Sequence, residues 1–94
     1  MSRGPGHAQR AVLAAFEGNP SRSFSAGDLA RLAYPDAPAI ERRHRVAVIR
    51  AADAASWRLD WTALRSKGRE PGLVYFRNGD AQGVAEAQAR VAAV

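Results

Sequence analysis

Residues 57–77 read WRLDWTALRSKGREPGLVYFR, and their pattern decides how the chain folds. Trp57, Leu59, Trp61 and Ala63 alternate with Arg58, Asp60, Thr62 and Leu64, a period of two that predicts a strand. Residues 73–77 are apolar and aromatic and predict a second strand. Between them, Ser66-Lys67-Gly68-Arg69-Glu70-Pro71-Gly72 is rich in turn formers. The stretch is therefore an antiparallel β-hairpin with a basic tip.

Upstream of the hairpin, residues 40–56 contain no Gly or Pro and are rich in Ala, which predicts a long helix. At 100° per residue Val48, Ala51, Ala52 and Ala55 share one face. Arg42, Val46, Ile49, Arg50 and Asp53 lie opposite, with Arg43 beside them. Asp36-Ala37-Pro38-Ala39 forms the turn before it, with Asp36 as N-cap and an early proline. A second helix begins at Ser25, where Ser25-x-x-Asp28 has the form of a capping box with Asp in place of Glu. Leu29, Leu32 and Ala33 make its buried stripe, and Tyr34-Pro35 ends it. Residues 7–17 form the first helix, with Val12, Leu13 and Phe16 inward and Gly18 in the left-handed C-terminal position. Ser23-Phe24 is too short for a strand of its own but can add a stub to the edge of a sheet formed elsewhere. Asn78-Gly79 breaks the second strand. Asp80 caps a last helix, residues 81–92, with Val84, Gln88 and Val91 on one face.

The whole chain is 94 residues and 10.1 kDa, one domain with a thin core. With 14 Lys+Arg against 9 Asp+Glu its formal net charge is +5. A hydrophobic content of 47% is too high for a disordered tail. There is no Cys, which excludes disulfides and thiolate chemistry. No apolar run has the length of a membrane span, and residues 1–9 lack the apolar stretch of a signal peptide. The expected compartment is the cytoplasm. Lys67 is the only lysine. Guanidinium suits phosphate, and a GC-rich genome explains the Arg bias equally well.

The order is helix, helix, helix, strand, strand, helix. It resembles a bacterial or phage winged helix-turn-helix domain. The resemblance rests on this order, on the tight connection Tyr34-Pro35-Asp36-Ala37-Pro38 and on the hairpin. It implies a mainly α fold with a small antiparallel hairpin: three helices, a two-stranded wing and a C-terminal helix. Residues 1–5 would be a flexible N-terminus, 6–80 the DNA-binding domain and 81–94 the C-terminal helix. The third helix would enter the major groove and the hairpin would be the wing.

Charge distribution points to nucleic acid independently. Residues 36–69 hold eight basic residues against four acidic ones, on the proposed third helix and wing. Arg42, Arg43 and Arg45 open the helix, and Arg50 lies about two turns beyond Arg43. Arginines there can make paired hydrogen bonds to guanine or contact phosphate. The bland alternative is a solvated face with Glu41 pairing to Arg45 at i,i+4. DNA is favoured because the wing carries the same sign. Arg65, Lys67 and Arg69 form the wing tip, suited to the backbone or a narrow minor groove. Arg22 and Ser25 stand at the second helix's N-terminus, where free amides suit a phosphate, although capping explains Ser25 as well. Val46 and Ile49 could meet thymine methyls, but burial is the stronger expectation for large aliphatics. Packing is likewise the stronger expectation for Trp57, Trp61, Tyr75 and Phe76.

Catalysis finds little support. His7 lies near the start and His44 stands alone in an Arg cluster, and no hydrolase, zincin or P-loop pattern occurs. No catalytic residue, metal, cofactor or small-molecule ligand is expected. The expected function is a double-stranded DNA-binding transcriptional regulator associated with the nucleoid. The rivals are a protein-interaction module and a sequence-tolerant architectural DNA binder. A homodimer through residues 81–94 has equal weight with packing of that helix back on the first.

Overall fold

The computed structural model describes residues 4–65 and 72–92. In chain order it contains α1 (Gly4–Gly18), β1 (Phe24–Ser25), α2 (Ala26–Ala33), α3 (Arg42–Leu59), β2 (Trp61–Arg65), β3 (Leu73–Arg77) and α4 (Ala81–Ala92). It is mostly helical, with one small antiparallel sheet of order β1-β3-β2. The expected hairpin strands pair antiparallel, with Trp61 opposite Arg77 and Arg65 opposite Leu73. The stub at Phe24 pairs with Tyr75 on the free edge of β3, so the sheet has three strands and not the two of a simple wing.

Helices α1, α2 and α3 pack on one another, and one core joins them to the sheet. Val12, Phe16, Leu29, Val48 and Tyr75 are fully buried in it. Phe16 and Trp61 stack with centroids 3.9 Å apart and planes at 4°, which ties α1 to the first residue of β2. Such a pair adds about 1 kcal/mol to the area it buries. The radius of gyration is 12.7 Å, near the ~12 Å of a compact chain of this size.

The sequence-based boundaries need several corrections. Helix α3 begins two residues later than expected, and its N-cap is Glu41, not Asp36. The His44 imidazole explains this: its Nδ1 accepts the Glu41 N–H at 2.9 Å, standing in for the Glu of a usual capping box. Asp36 instead sits in a turn closed by the Ala37 N–H to the Tyr34 carbonyl, 3.1 Å. Helix α3 also runs on through Trp57 to Leu59, where strand was expected. It stops because Asp60 adopts the left-handed conformation (φ 63°) and its N–H bonds to the Ser56 carbonyl. Leu32 is 54% exposed, because the buried stripe of α2 runs through Ala26, Leu29, Ala30 and Ala33 instead. Helix α1 reaches back to Gly4, and Asn19 closes its far end, with backbone and side-chain N–H groups both bonded to the Ala15 carbonyl. Gly18 is helical, not left-handed; among the described residues Gly79 is the glycine with positive φ, 82°, in the turn after β3.

Helix α4 packs on β3 and β2, not on α1. Ala87 is fully buried, and Val84 and Val91 cover Val74 and Phe76 on the sheet face away from the main core. Gln88 is exposed. Asp80 caps α4 as expected, accepting the Gly83 N–H at 2.9 Å. A polar network fastens the same helix. Glu86 accepts both the Ser23 N–H (2.6 Å) and the Ser23 hydroxyl (2.7 Å), and Arg90 donates to the Ser23 carbonyl (3.1 Å) and to Asp28 (2.8 Å).

Candidate nucleic-acid interface

Alanines and His44 set the orientation of α3. His44, Val48, Ala51, Ala52 and Ala55 are buried, which turns the opposite face outward. Arg42, Arg43, Arg45 and Arg50 are all exposed on or beside that face, so the helix brings four of the expected site residues together. Arg45 is exposed although its phase borders the buried stripe at Ala52. Arg65, at the end of β2, is exposed as well. Lys67 and Arg69, with the rest of the expected wing tip, lie outside the described residues.

Among the described residues, the ion pairs are Arg31–Asp28, Arg43–Glu41 and Arg90–Asp28. Arg42, Arg45, Arg50 and Arg65 therefore present guanidinium groups with no carboxylate partner among the described residues. Glu41 meets Arg43 Nε at 3.0 Å and not Arg45, so the expected i,i+4 pair does not form. The reason is local: Glu41 lies outside the helix as its cap, where the i,i+4 geometry no longer applies.

Two expectations about apolar residues are corrected here. Val46 is 37% exposed, on the arginine face, and Ile49 is half-buried beside it. Trp57 is 90% exposed. Trp61, Tyr75 and Phe76 are buried as expected. Trp57 was misassigned because period-two alternation placed it on a strand. Continued as a helix, the 100° phase puts it on the side of Val46 and Arg50, away from Ala52 and Ala55.

At the start of α2, Ser25 is less available for an anion. The Ser25 hydroxyl accepts the Asp28 N–H at 3.0 Å, and Asp28 accepts the Ser25 N–H at 3.1 Å, so capping accounts for it. Arg22 is exposed near Glu86, whose carboxylate it helps to hold ionised. Partial burial disfavours the Asp28 anion, but the Ser25 amide and Arg90 outweigh it and hold the carboxyl below its ordinary value. The Gly83 amide and the Ser21 hydroxyl lower Asp80, and the Ser23 amide and hydroxyl lower Glu86. Burial, then the Asp53 carboxylate 3.1 Å away, raise the Tyr75 phenol well above its ordinary range.

Both histidines are engaged where α1 meets the α2–α3 connection. His7, in the first turns of α1, bonds through Nε2 to the Ala33 carbonyl, and its ring lies 5.2 Å from Tyr34. Tyr34 in turn lies 4.6 Å from His44. These rings join the start of α1 to the α2–α3 connection, around an open cavity of about 490 Å³ that Asp36 and Arg43 also line. Among the described residues no three His, Cys, Asp or Glu side chains could hold a metal ion. None of the described helices is long and apolar enough to cross a membrane. Comparison with known protein families, characterised proteins and solved structures returns no match.

Proposed function

We propose that the chain is a winged helix-turn-helix protein that binds double-stranded DNA and regulates transcription by occupying a site. The observation that carries this reading is the composition of the outward face of α3. Arg42, Arg43, Arg45 and Arg50 are exposed there on a helix whose other side is buried alanine. A rigid helix presenting exposed guanidinium groups, Arg43 alone of the four paired to a carboxylate among the described residues, suits guanine edges and phosphates. The element order supports it further: helix, strand, two helices, then a hairpin whose strand pairs with the first strand. In this reading Val46 meets thymine methyls beside the arginines, and Arg65 leads into a basic wing on the backbone. No cofactor takes part. Two copies would be aligned by two half-sites on the DNA, since α4 spends its apolar side on its own sheet.

Genomic footprinting of bound protein, followed by titration of a recovered duplex against a scrambled one, tests the reading. A preference of at least about a thousandfold for the recovered duplex is the expected result. Equal affinity for both would indicate an architectural binder. No binding of either duplex at low salt would leave the arginine face for an acidic protein partner.

A further inference from the structure

Trp57 projects into solvent in the last turn of α3, 90% exposed, while the second tryptophan, Trp61, is 6% exposed against Phe16. We infer that Trp57 is a DNA-contact residue, packing its indole on the sugar–phosphate backbone at the rim of the major groove; this rests on the DNA-binding reading above.

Phase and charge carry the inference. Eleven residues separate Trp57 from Val46, three turns plus about 20°, so both lie on one outward line of the helix. Arg50 precedes Trp57 on the same side, and Arg58 beside it is exposed. The nearby acid, Asp53, is engaged by the Tyr75 hydroxyl at 3.1 Å. Asp60, three residues after Trp57, is likewise engaged, by the Asn78 amide at 2.8 Å. An indole on the line of Arg50 and next to Arg58 faces a polyanion more readily than a protein, whose hot spots sit inside apolar patches.

Distance then decides which part of the DNA it meets. Trp57 lies roughly 16 Å beyond Val46 along the helix axis. A major groove is about 12 Å wide. With the Arg42–Val46 end on base edges, Trp57 reaches past the groove floor to the bordering strand. An indole matches that strand: its face covers deoxyribose and its N–H donates to a phosphate oxygen. Nearer the middle of α3, α1 and α3 leave a groove of about 460 Å³ lined by Ala8, Gln9, Tyr34, Ala47, Arg50, Ala51 and Ala54, the seat a protein partner would use instead.

Because Trp61 is buried, acrylamide quenching of the full chain reports on Trp57. The chain is titrated with the footprinted duplex and with a scrambled duplex of equal length. Binding of either duplex is expected to shield Trp57 from acrylamide. Trp57→Ala is expected to weaken both duplexes by the same factor, roughly tenfold. Trp57→Phe, which keeps the apolar face and loses the N–H, should lose less. All variants should keep the urea midpoint of the parent. Unchanged quenching on binding, or unchanged affinity of Trp57→Ala, overturns the inference while leaving DNA binding intact. A changed preference between the duplexes overturns it in favour of a base contact. Loss of self-association in Trp57→Ala with DNA affinity unchanged overturns it in favour of a protein surface. If neither duplex binds the parent chain, both this inference and the reading beneath it fall.

Discussion

Arg90 on α4 and Asp28 on α2 meet at 2.8 Å, Nη2 to Oδ2, across 62 positions of sequence. The same Asp28 oxygen accepts the Ser25 N–H that completes the α2 capping box. One carboxylate thus holds both the start of α2 and the docking of α4. Its side chain and that of Arg90 are each 34% exposed, so solvent screens the pair only in part. In a double-mutant cycle of Arg90→Ala and Asp28→Asn, urea unfolding should give a coupling of about 1 kcal/mol. A coupling of zero would mean that α4 is held by apolar contact alone.

Acid should weaken the fold through the same region. Asp28, Asp80 and Glu86 all ionise more readily in the folded chain than their ordinary values of 3.8, 3.8 and 4.5. Folded pKa values below the unfolded ones mean that the unfolded chain binds more protons in this range. Their contribution is complete above the unfolded values and is lost as pH falls through the folded ones. Urea midpoints should therefore be level from pH 7 to about 5.5 and fall below pH 4.5. Glu86→Gln should flatten part of that fall, since an amide accepts from Ser23 without titrating. An unchanged acid slope in that variant would remove Glu86 from the account.

Much of the fold was legible in the sequence because the signals were local. The hairpin came from alternation and turn residues, the α2 cap from Ser25 and Asp28, and the edge stub from two residues beside a helix start. Misreadings arose where a side chain acted against its usual role. His44 replaced a capping Glu and moved the start of α3. Asp60 took a left-handed conformation more usual for Gly, and three residues of helix passed for strand. That error hid Trp57, whose side depends on the helix continuing. The anchoring of α4 was beyond reach, since Ser23, Glu86 and Arg90 meet only after the chain has folded. On α3 the arginine face was correct in phase, and the exposure of Val46 was not foreseen because large aliphatics are usually buried.

Glu41 should restrain Arg43 in the free protein, since its carboxylate lies 3.0 Å from the guanidinium. A base or phosphate must replace that contact. Glu41→Gln should raise DNA affinity, by removing both the competitor and a negative charge at the interface. Arg43→Ala should weaken it by about 1–3 kcal/mol if the contact is bidentate to guanine, or reduce the salt slope by about one unit if it is to phosphate. Fluorescence anisotropy across a salt series reads both. Parent-like binding and salt slope in both variants would take Arg43 off the interface.

The basic turn of the hairpin should contribute affinity more than sequence choice. In sequence Gly68 separates Lys67 from Arg69 and Gly72 follows, a spacing of cations that suits a backbone better than a fixed hydrogen-bond pattern. Joint replacement of Lys67 and Arg69 by Ala should weaken recovered and scrambled duplexes alike, and lower the salt slope by about two units. A shift in preferred sequence at constant general affinity would instead make the turn a reader of bases.

Removal of α4 should cost the chain its fold, not merely a contact between copies. A homodimer through residues 81–94 would leave a core that stands without them. The packing argues otherwise. Without α4, Val74 and Phe76 lose the cover of Val84, Ala87 and Val91. Ser23 also loses both Glu86 bonds and the Arg90 bond at its carbonyl. Those bonds are made at a residue 1% exposed beneath α4, and each contributes about 1 kcal/mol net. With the apolar loss the total is on the order of 5 kcal/mol, comparable to the whole stability of a small domain. The truncated chain should therefore melt without a cooperative transition near room temperature. In the full chain, Val84→Asp should lower the urea midpoint sharply, and the sedimentation coefficient of the folded species should not change. If Val84→Asp instead dissociates a dimer and leaves the midpoint untouched, the valine faces a second copy and the intramolecular packing of α4 is wrong.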